Sequence, residues 1–540
     1  MILIASGAYL QGEFSSEVGL LPPSFLPIGN QRLYEYQINF LSECSSAKED
    51  FYLSVPASYV MDDYDTKRLE ELGVEVLYVP DELSLGDSIL YCWNATARHH
   101  KDLTLLHGDT LFLDSVFNEK NAVSVHTNRG FYKRASLGQE TETLEKVHDD
   151  WSNDCEQVIS GFFNFSEPLY FMKSLVEAKS NFIQAIVSYH KANPVSLISQ
   201  GDWLDFGHIN SFYHSRTRMT TQRSFNDLKI SRRSVFKTSK DKAKKIFAEG
   251  NWFAQLPLPL KLYIPALIGL DKGDDGYKNA HYELEYLYLL PLSDLFVFSR
   301  LANGCWQTIF NEISQLLTDF GQYRPQTVSP DTLNQLDQLY LPKTLERLSE
   351  YSQQQNADIS NAYFTLENNQ KITLTEVAVE SSKFILPTNI EDISITHGDL
   401  CFSNILFDSR VEAIKCIDPR GINVAGKLSL YGDRRYDLAK LYHSIVGLYD
   451  FIIAGRFTLQ RENNHKYKLN ISHNQELLKE IIASFRKTVL KNSGYHEKEI
   501  LAITVHLFLS MLPLHSDRPE RQKAFISNAL RLFEQLKEMK

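Results

Sequence analysis

Residues 395–408 read ITHGDLCFSNILFD and residues 414–421 read IKCIDPRG, and no other stretch limits the possible folds so tightly. The first segment sets His397, Asp399 and Asn404 in the spacing H-x-D-x-x-x-x-N. The second supplies Asp418, 14 residues beyond the asparagine. The apolar runs ILF and AIKCI between them read as two short strands. Paired as a hairpin, they would return Asn404 and Asp418 to one place. These residue types suit phosphoryl transfer. A carboxylate accepts the proton of an attacking hydroxyl, while an amide oxygen and a second carboxylate hold Mg²⁺ against nucleotide phosphates.

Taken with GDRRYDLAKLYHS at 432–444, these segments resemble the aminoglycoside phosphotransferase/choline kinase family, small-molecule relatives of the protein kinases. The resemblance implies that Asp399 is the catalytic base, that Asn404 and Asp418 are Mg²⁺ ligands, and that ATP is the phosphoryl donor. It implies a structural place for His397, hydrogen-bonded within the catalytic loop. Asp433 and Asp437 match the segment that begins a helix and braces the site. For Asp437 a helix-terminal charge or a structural hydrogen bond is expected.

A kinase also needs a lysine on a strand to grip the phosphates and a helical glutamate to orient it. The stretch SVFKTS is β-branched and aromatic, with Lys237 near its end. DKAKKIFAEGNWF then has helical spacing, with Asp241 as a candidate cap. Lys237 and Glu249 are therefore the candidate pair. The alternative is a set of solvated charges in a lysine-rich stretch, with Lys240 and Lys242 as weaker candidates at the strand–helix turn. One departure from the kinase pattern stands out: TQRSFNDLKISRRSVF, residues 221–236, contains no glycine. Ser231 and Ser234 are left to shape a tight hairpin there. YELEYLYLLPLSDLFVF, 282–298, reads as two strands whose connector would hydrogen-bond an adenine ring. Beyond 299 helical patterns dominate, ending in an amphipathic packing helix.

The first 222 residues have a different rhythm. MILIASG, FYLSVP, VEVLYVP, LTLLHGD and AVSVHTN are short apolar strands separated by helical stretches, an α/β pattern with a mainly parallel sheet. Within it LPPSFLPIGNQRLYEYQINFL, ELSLGDSILYCW, LLHGDTLF, SGFFNF and GDWLDFGHINSFYHSR resemble the sugar-1-phosphate nucleotidyltransferases. The resemblance implies a Rossmann-like mixed sheet and makes Asp109 and Asp205 the Mg²⁺-binding aspartates. Asp109 also admits a plainer reading, as a cap at the end of a buried strand. Nucleotidyl transfer needs cations on the leaving pyrophosphate, yet there is no Arg or Lys from 1 to 31, and Pro23 stands where that family has a lysine. The domain is expected to catalyse NTP activation, to bind a nucleotide or sugar phosphate without turnover, or to act as a scaffold.

At 540 residues the chain exceeds one ordinary core. The expected division is a nucleotidyltransferase-like α/β domain at 1–222 and an α+β, protein-kinase-like bilobal domain. The latter would have an N-lobe at 223–298 and a C-lobe at 299–540. A net charge of −11 argues against nucleic acid or an anionic membrane as general partners. The start, MILIASGAYL, lacks a basic leader region, and LAITVHLFLSMLPL is too short to span a bilayer. Cys44, Cys92, Cys155, Cys305, Cys401 and Cys416 form no C-x-x-C pair and fit reduced thiols in a cytoplasm. Three whole-chain expectations follow. The first is a Mg²⁺/ATP-dependent kinase for a hydroxyl of a small metabolite, a sugar or amino alcohol, in bacterial surface-polysaccharide precursor synthesis. The second is a bifunctional kinase and nucleotidyltransferase. The third is a catalytically degenerate nucleotide-binding protein. The acceptor, the preferred base and the oligomeric state have no signature in the sequence.

Overall fold

The computed structural model describes residues 1–45, 49–127, 135–137, 147–148, 157–219, 227–463 and 466–539. Cys155 and residues 221–226 of the glycine-free stretch lie outside the described residues. The chain packs as two compact units, residues 1–220 with 298–300, and residues 221–297 with 301–540.

The first unit is built on a mixed sheet. Ile2–Ala5 runs parallel to Phe51–Pro56 on one side and to Leu103–His107 on the other, and Val74–Val79 extends the parallel set. Gln157–Phe165 then adds antiparallel to Leu103–His107 and also pairs with Ala122–Thr127. The innermost strands are continuous apolar runs because helices cover both faces; Ile2, Leu3 and Ile4 are all buried. Phe163, Phe165, Phe171, Phe182 and Ile186 close the core. At the carboxyl end of Leu103–His107 the chain turns sharply. Gly108 N–H bonds to Ala5 O at 2.8 Å, and a Cβ on Gly108 would lie 2.8 Å from that same oxygen. Buried Gln37 donates to the carbonyls of His107, Gly108 and Thr110, so this turn and Asp109 within it are held in one place.

The second unit is α+β. Its four-stranded antiparallel sheet has the order 227–230, 234–238, 281–285, 267–271. The glycine-free turn is closed by serines, as Ser231 N–H bonds to Ser234 O and Ser231 Oγ accepts from Arg233 N and Ser234 N. The helix Ala243–Gln255 lies on this sheet. Gly250 permits the approach, since a Cβ there would come 2.5 Å from Leu270 Cδ1. Two sequence expectations need correction. The helix is preceded by Lys242 with no side-chain cap; Ser239, not Asp241, meets the Lys242 N–H. Within 282–298 only His281–Glu285 and the short Leu290–Pro291 are strands, and Leu292–Phe298 is helical. The remainder is mainly helical around Glu497–Ser510, which is buried from Glu499 to Ser510 because other helices surround it. Among the described residues, no helix is long and apolar enough to cross a membrane. The final helix, Pro519–Glu538, is buried all round from Ala524 to Leu530.

Candidate functional site

Ile405–Asp408 and Ala413–Cys416 form the expected antiparallel hairpin, with Ile405 opposite Cys416. Ile417 N–H bonds to Asn404 O at 2.9 Å, so the residues flanking the hairpin are tied across its open end. Asn404 sits just before the first strand and Asp418 just beyond the second. Asp418 occupies the left-handed region, φ 58°, which an aspartate tolerates better than most residues.

The loop before the hairpin is pinned from several sides. Asp437 accepts from His397 N–H at 2.7 Å and from Gly398 N–H at 2.8 Å. Burial pushes the Asp437 carboxyl up to about 7 against the pull of those two donors. The His397 ring is fully buried, joined to Ile417 O and to Asp399 N–H, and edge-on to Trp252. It is a structural part of the loop. Asp433 begins the helix Arg434–Ile445 by accepting from Arg435 N–H, and it also binds the Arg435 guanidinium and Tyr340. Replacing Asp437 by Ala is expected to cost about 1–3 kcal/mol for each orphaned N–H donor. Turnover should fall by about a hundredfold as the loop shifts, measured by calorimetry and steady-state kinetics on the same preparation.

Asn404 Nδ2 donates to Asp399 O at 2.9 Å and stands 3.3 Å from Asp399 Oδ2. The amide nitrogen is thus committed to the loop that carries Asp399, and the amide oxygen is the end able to meet a cation. On its other oxygen, Asp399 receives Lys440 Nζ at 2.9 Å. Burial would raise the Asp399 carboxyl, but Lys440 outweighs it and holds the group well below the ordinary carboxylate range.

Lys237 and Glu249 also converge. Lys237 Nζ lies 2.7 Å from Glu249 Oε2 and 2.9 Å from Asp418 Oδ1. Tyr282 OH, on the neighbouring strand, donates to Glu249 at 3.0 Å. The lysine and glutamate side chains are 8% and 3% exposed, against 38% for Asp418. Burial pulls the Lys237 ammonium down, yet Asp418 and Glu249 together hold it above its ordinary value. Lys237, Glu249 and Asp418 therefore form one linked group, and Asp399, Asn404 and Lys440 a second. Backbone bonding between Asn404 and Ile417 joins the two. Lys240 and Lys242 lie at the turn between the strand Ser234–Thr238 and the helix Ala243–Gln255.

Four residues in this region were not singled out by sequence reasoning: Lys440, Arg420, Tyr436 and Lys343. The Arg420 guanidinium and the Lys343 ammonium lie 5.4 Å and 5.5 Å from the centre of the Tyr436 ring. Burial would raise the Tyr436 phenol, but Lys343, Arg420 and Lys440 pull it down to about 7. One signal was present: Tyr436 and Lys440 stand four residues apart, on one helix face.

In the first unit, Asp202–Asp205 pairs with Thr110–Leu113, putting Asp205 opposite Thr110. Both predicted aspartates meet at Gly207. A Cβ there would lie 2.3 Å from Asp109 Oδ2 and 3.4 Å from Asp205 Oδ1. The missing side chain leaves room for two carboxylates. The first basic residue of the chain, Arg32, is not available to a phosphate. It is 1% exposed, donates to Phe25 O and Phe298 O, and pairs with Asp65.

The oxygen donors at both places fit Mg²⁺, which takes one or two protein ligands and completes its shell with water and substrate phosphates. Among the described residues there is no group of three or more His, Cys, Asp or Glu that would form a closed metal cage.

No protein-family profile and no curated protein matches the chain. Solved structures of two kinds are similar to it. One is a nucleoside-diphosphate-sugar pyrophosphorylase from Vibrio cholerae RC9, at 13% identity, covering 40% of this chain and 100% of that one with a TM-score of 0.33. An inositol-1-phosphate CTP transferase from T. maritima covers 41% of this chain and 96% of its own at 17% identity, TM-score 0.30. The other kind includes an aminoglycoside-3'-phosphotransferase of type VIII, 14% identical, covering 53% and 94% of the two chains, TM-score 0.31. Likenesses of this size do not carry chemistry, which is read from the side chains.

Proposed function

We propose that residues 223–540, with an N-lobe at 223–298 and a C-lobe at 299–540, form a Mg²⁺- and ATP-dependent phosphotransferase acting on a hydroxyl of a small metabolite. The observation that carries this reading is the bridge of Lys237 between Glu249 and Asp418, tied through the hairpin to Asp399. In this reading Lys237 grips the donor phosphates and Glu249 keeps its ammonium in position. Asn404 and Asp418 hold Mg²⁺, which offsets charge on the phosphates. Asp399 orients the acceptor hydroxyl and takes its proton. The ion pair to Lys440 keeps that carboxylate ionised and fixes its orientation toward the hydroxyl.

For the first unit, the meeting of Asp109 and Asp205 at Gly207 supports a second reading: a cation-assisted nucleotide or sugar-phosphate site, and a bifunctional chain that activates what it phosphorylates. The internal use of Arg32 weighs against pyrophosphate chemistry there. A cytoplasmic place in surface-polysaccharide precursor synthesis suits either reading; Cys44, Cys92, Cys305, Cys401 and Cys416 are free thiols.

The test is a panel of sugars and amino alcohols with Mg-ATP, with CTP, GTP and UTP in parallel. Acceptor-dependent ADP is the expected product. Pyrophosphate release that disappears in Asp109→Ala would establish the second activity. Nucleotide binding without any turnover would overturn both readings in favour of a degenerate nucleotide-binding protein.

A further inference from the structure

The side chains around Asp399 are mostly cationic. Lys440 pairs directly with Asp399 and is 12% exposed. Arg420 is seated on the catalytic loop: its N–H bonds to His397 O at 2.9 Å. A Cβ on Gly398 would stand 2.7 Å from the Arg420 Cβ, so stem and loop pack tightly. Lys343 arrives from the helix Leu341–Gln354, and its ammonium is 3.4 Å from Tyr436 OH. Arg420 and Lys343 both lie against the Tyr436 ring. A small recess beside them is lined by Leu339, His397, Arg420, Asn423, Tyr431 and Tyr436.

The nearby acids neutralise this group only in part. Asp433 is engaged by Arg435, Tyr340 and Thr388. Asp437 faces two backbone N–H groups. Asp399 pairs with Lys440 and, with Asp437 and the Tyr436 hydroxyl, also holds Arg420 above its ordinary value, whereas Lys343 has only Tyr436 in its favour. Three cations held this close repel one another and are costly to desolvate unless an anion joins them. Lys343 registers that crowding: the Tyr436 phenol would raise its ammonium, but burial, Arg420 and Lys440 together leave it below the ordinary lysine value.

We propose that the acceptor phosphorylated at Asp399 is itself an anion, a hydroxylated small molecule carrying a carboxylate or phosphate group that Lys343 and Arg420 bind. The inference rests on the kinase reading above and narrows it, because an amino alcohol would bring a fourth positive charge to the same place. Donor phosphates have their own cation in Lys237, paired with Glu249 and Asp418 rather than with Tyr436. In the reaction the acceptor oxygen forms a bond to the γ-phosphorus of ATP. The bond from that phosphorus to the β–γ bridging oxygen breaks and ADP leaves. The hydroxyl proton goes to Asp399.

The experiment uses the full chain with Mg-ATP and matched acceptors: glycerol, glycerate and glycerol phosphate; a hexose, its aldonic acid and its phosphate ester; and ethanolamine. Carboxylate or phosphate members are expected to exceed their neutral parents in kcat/KM by about tenfold or more, the scale of one charge-assisted contact. The two anionic arms separate the sources of the charge. Lys343→Gln should raise KM for the anionic acceptor alone, leaving KM for ATP unchanged. Equal or better use of neutral or cationic acceptors, with turnover still abolished by Asp399→Asn, overturns the anionic acceptor and leaves the kinase standing. A rise in KM for ATP in Lys343→Gln would assign the cluster to the donor and overturn the proposal as well. No acceptor-dependent ADP from any class removes the kinase reading and this inference together.

Discussion

Asp399→Asn is expected to lower kcat by about 10²–10⁴-fold, the usual contribution of a positioned general base, while nucleotide affinity stays within a few-fold of wild type. An amide has nearly the same shape as the carboxylate but cannot take the acceptor proton. It also takes the counter-ion from Lys440, which is 12% exposed, so a loss of stability accompanies it. One face of Asp399 meets Lys440 Nζ and the other Asn404 Nδ2, so the new side chain can offer its oxygen to only one of these donors. Acceptor-dependent ADP formation and calorimetric nucleotide binding, measured on the same preparation, separate the two effects. Turnover near wild type would remove the base assignment. The pH dependence has a matching signature. Lys440 holds Asp399 below the ordinary carboxylate range, so the carboxylate stays ionised well into acid. No acidic limb in kcat/KM near neutral pH should arise from this group. An acidic limb there in the wild type that moves to higher pH in Lys440→Met would overturn this, because the variant should move Asp399 itself upward.

Legibility in the sequence followed how local each signal was. The catalytic hairpin was readable because its two apolar runs and both polar flanks lie within residues 395–421. The linking of Lys237 to Glu249 was readable because a short strand followed by a helix leaves few ways to bring them together. Of the two strands expected in 282–298, the second is only Leu290–Pro291, because the chain continues as the helix Leu292–Phe298, which buries Leu292, Leu295 and Phe296. The cation cluster was not readable. Lys343 lies far along the chain from Arg420, Tyr436 and Lys440, and no periodicity links a lysine on one helix to an arginine in a loop. Likewise, the loss of Arg32 to internal hydrogen bonds shows only once the carbonyls of Phe25 and Phe298 are placed around it.

Lys237→Met should combine lost activity with a large loss of stability, and the second effect has a definite pH dependence. Glu249 is 3% exposed, and removing Lys237 leaves a buried carboxylate with Tyr282 as its close donor and only the exposed Lys245, 3.7 Å away, as a cation. Breaking one side of a buried ion pair costs about 3–5 kcal/mol. Burial already raises the Glu249 carboxyl even with Lys237 present, and without that ammonium it rises further. The folded variant then binds more protons than the unfolded chain across the interval between the unfolded carboxyl value, about 4.3, and the raised folded one. Stability therefore falls as pH rises through that interval. The wild-type lysine, with its value raised on folding, keeps its contribution over the same range. Scanning calorimetry should thus find the variant's deficit larger at pH 8 than at pH 5. Adding Glu249→Gln removes the orphaned charge, and the double variant should regain most of the lost stability without regaining turnover. A pH-independent deficit, or stability not restored in the double variant, would mean that Glu249 is not the group left uncompensated. Recovered turnover in the double variant would instead remove Lys237 from the phosphate grip, because a neutral pair restores packing but leaves no cation for the donor.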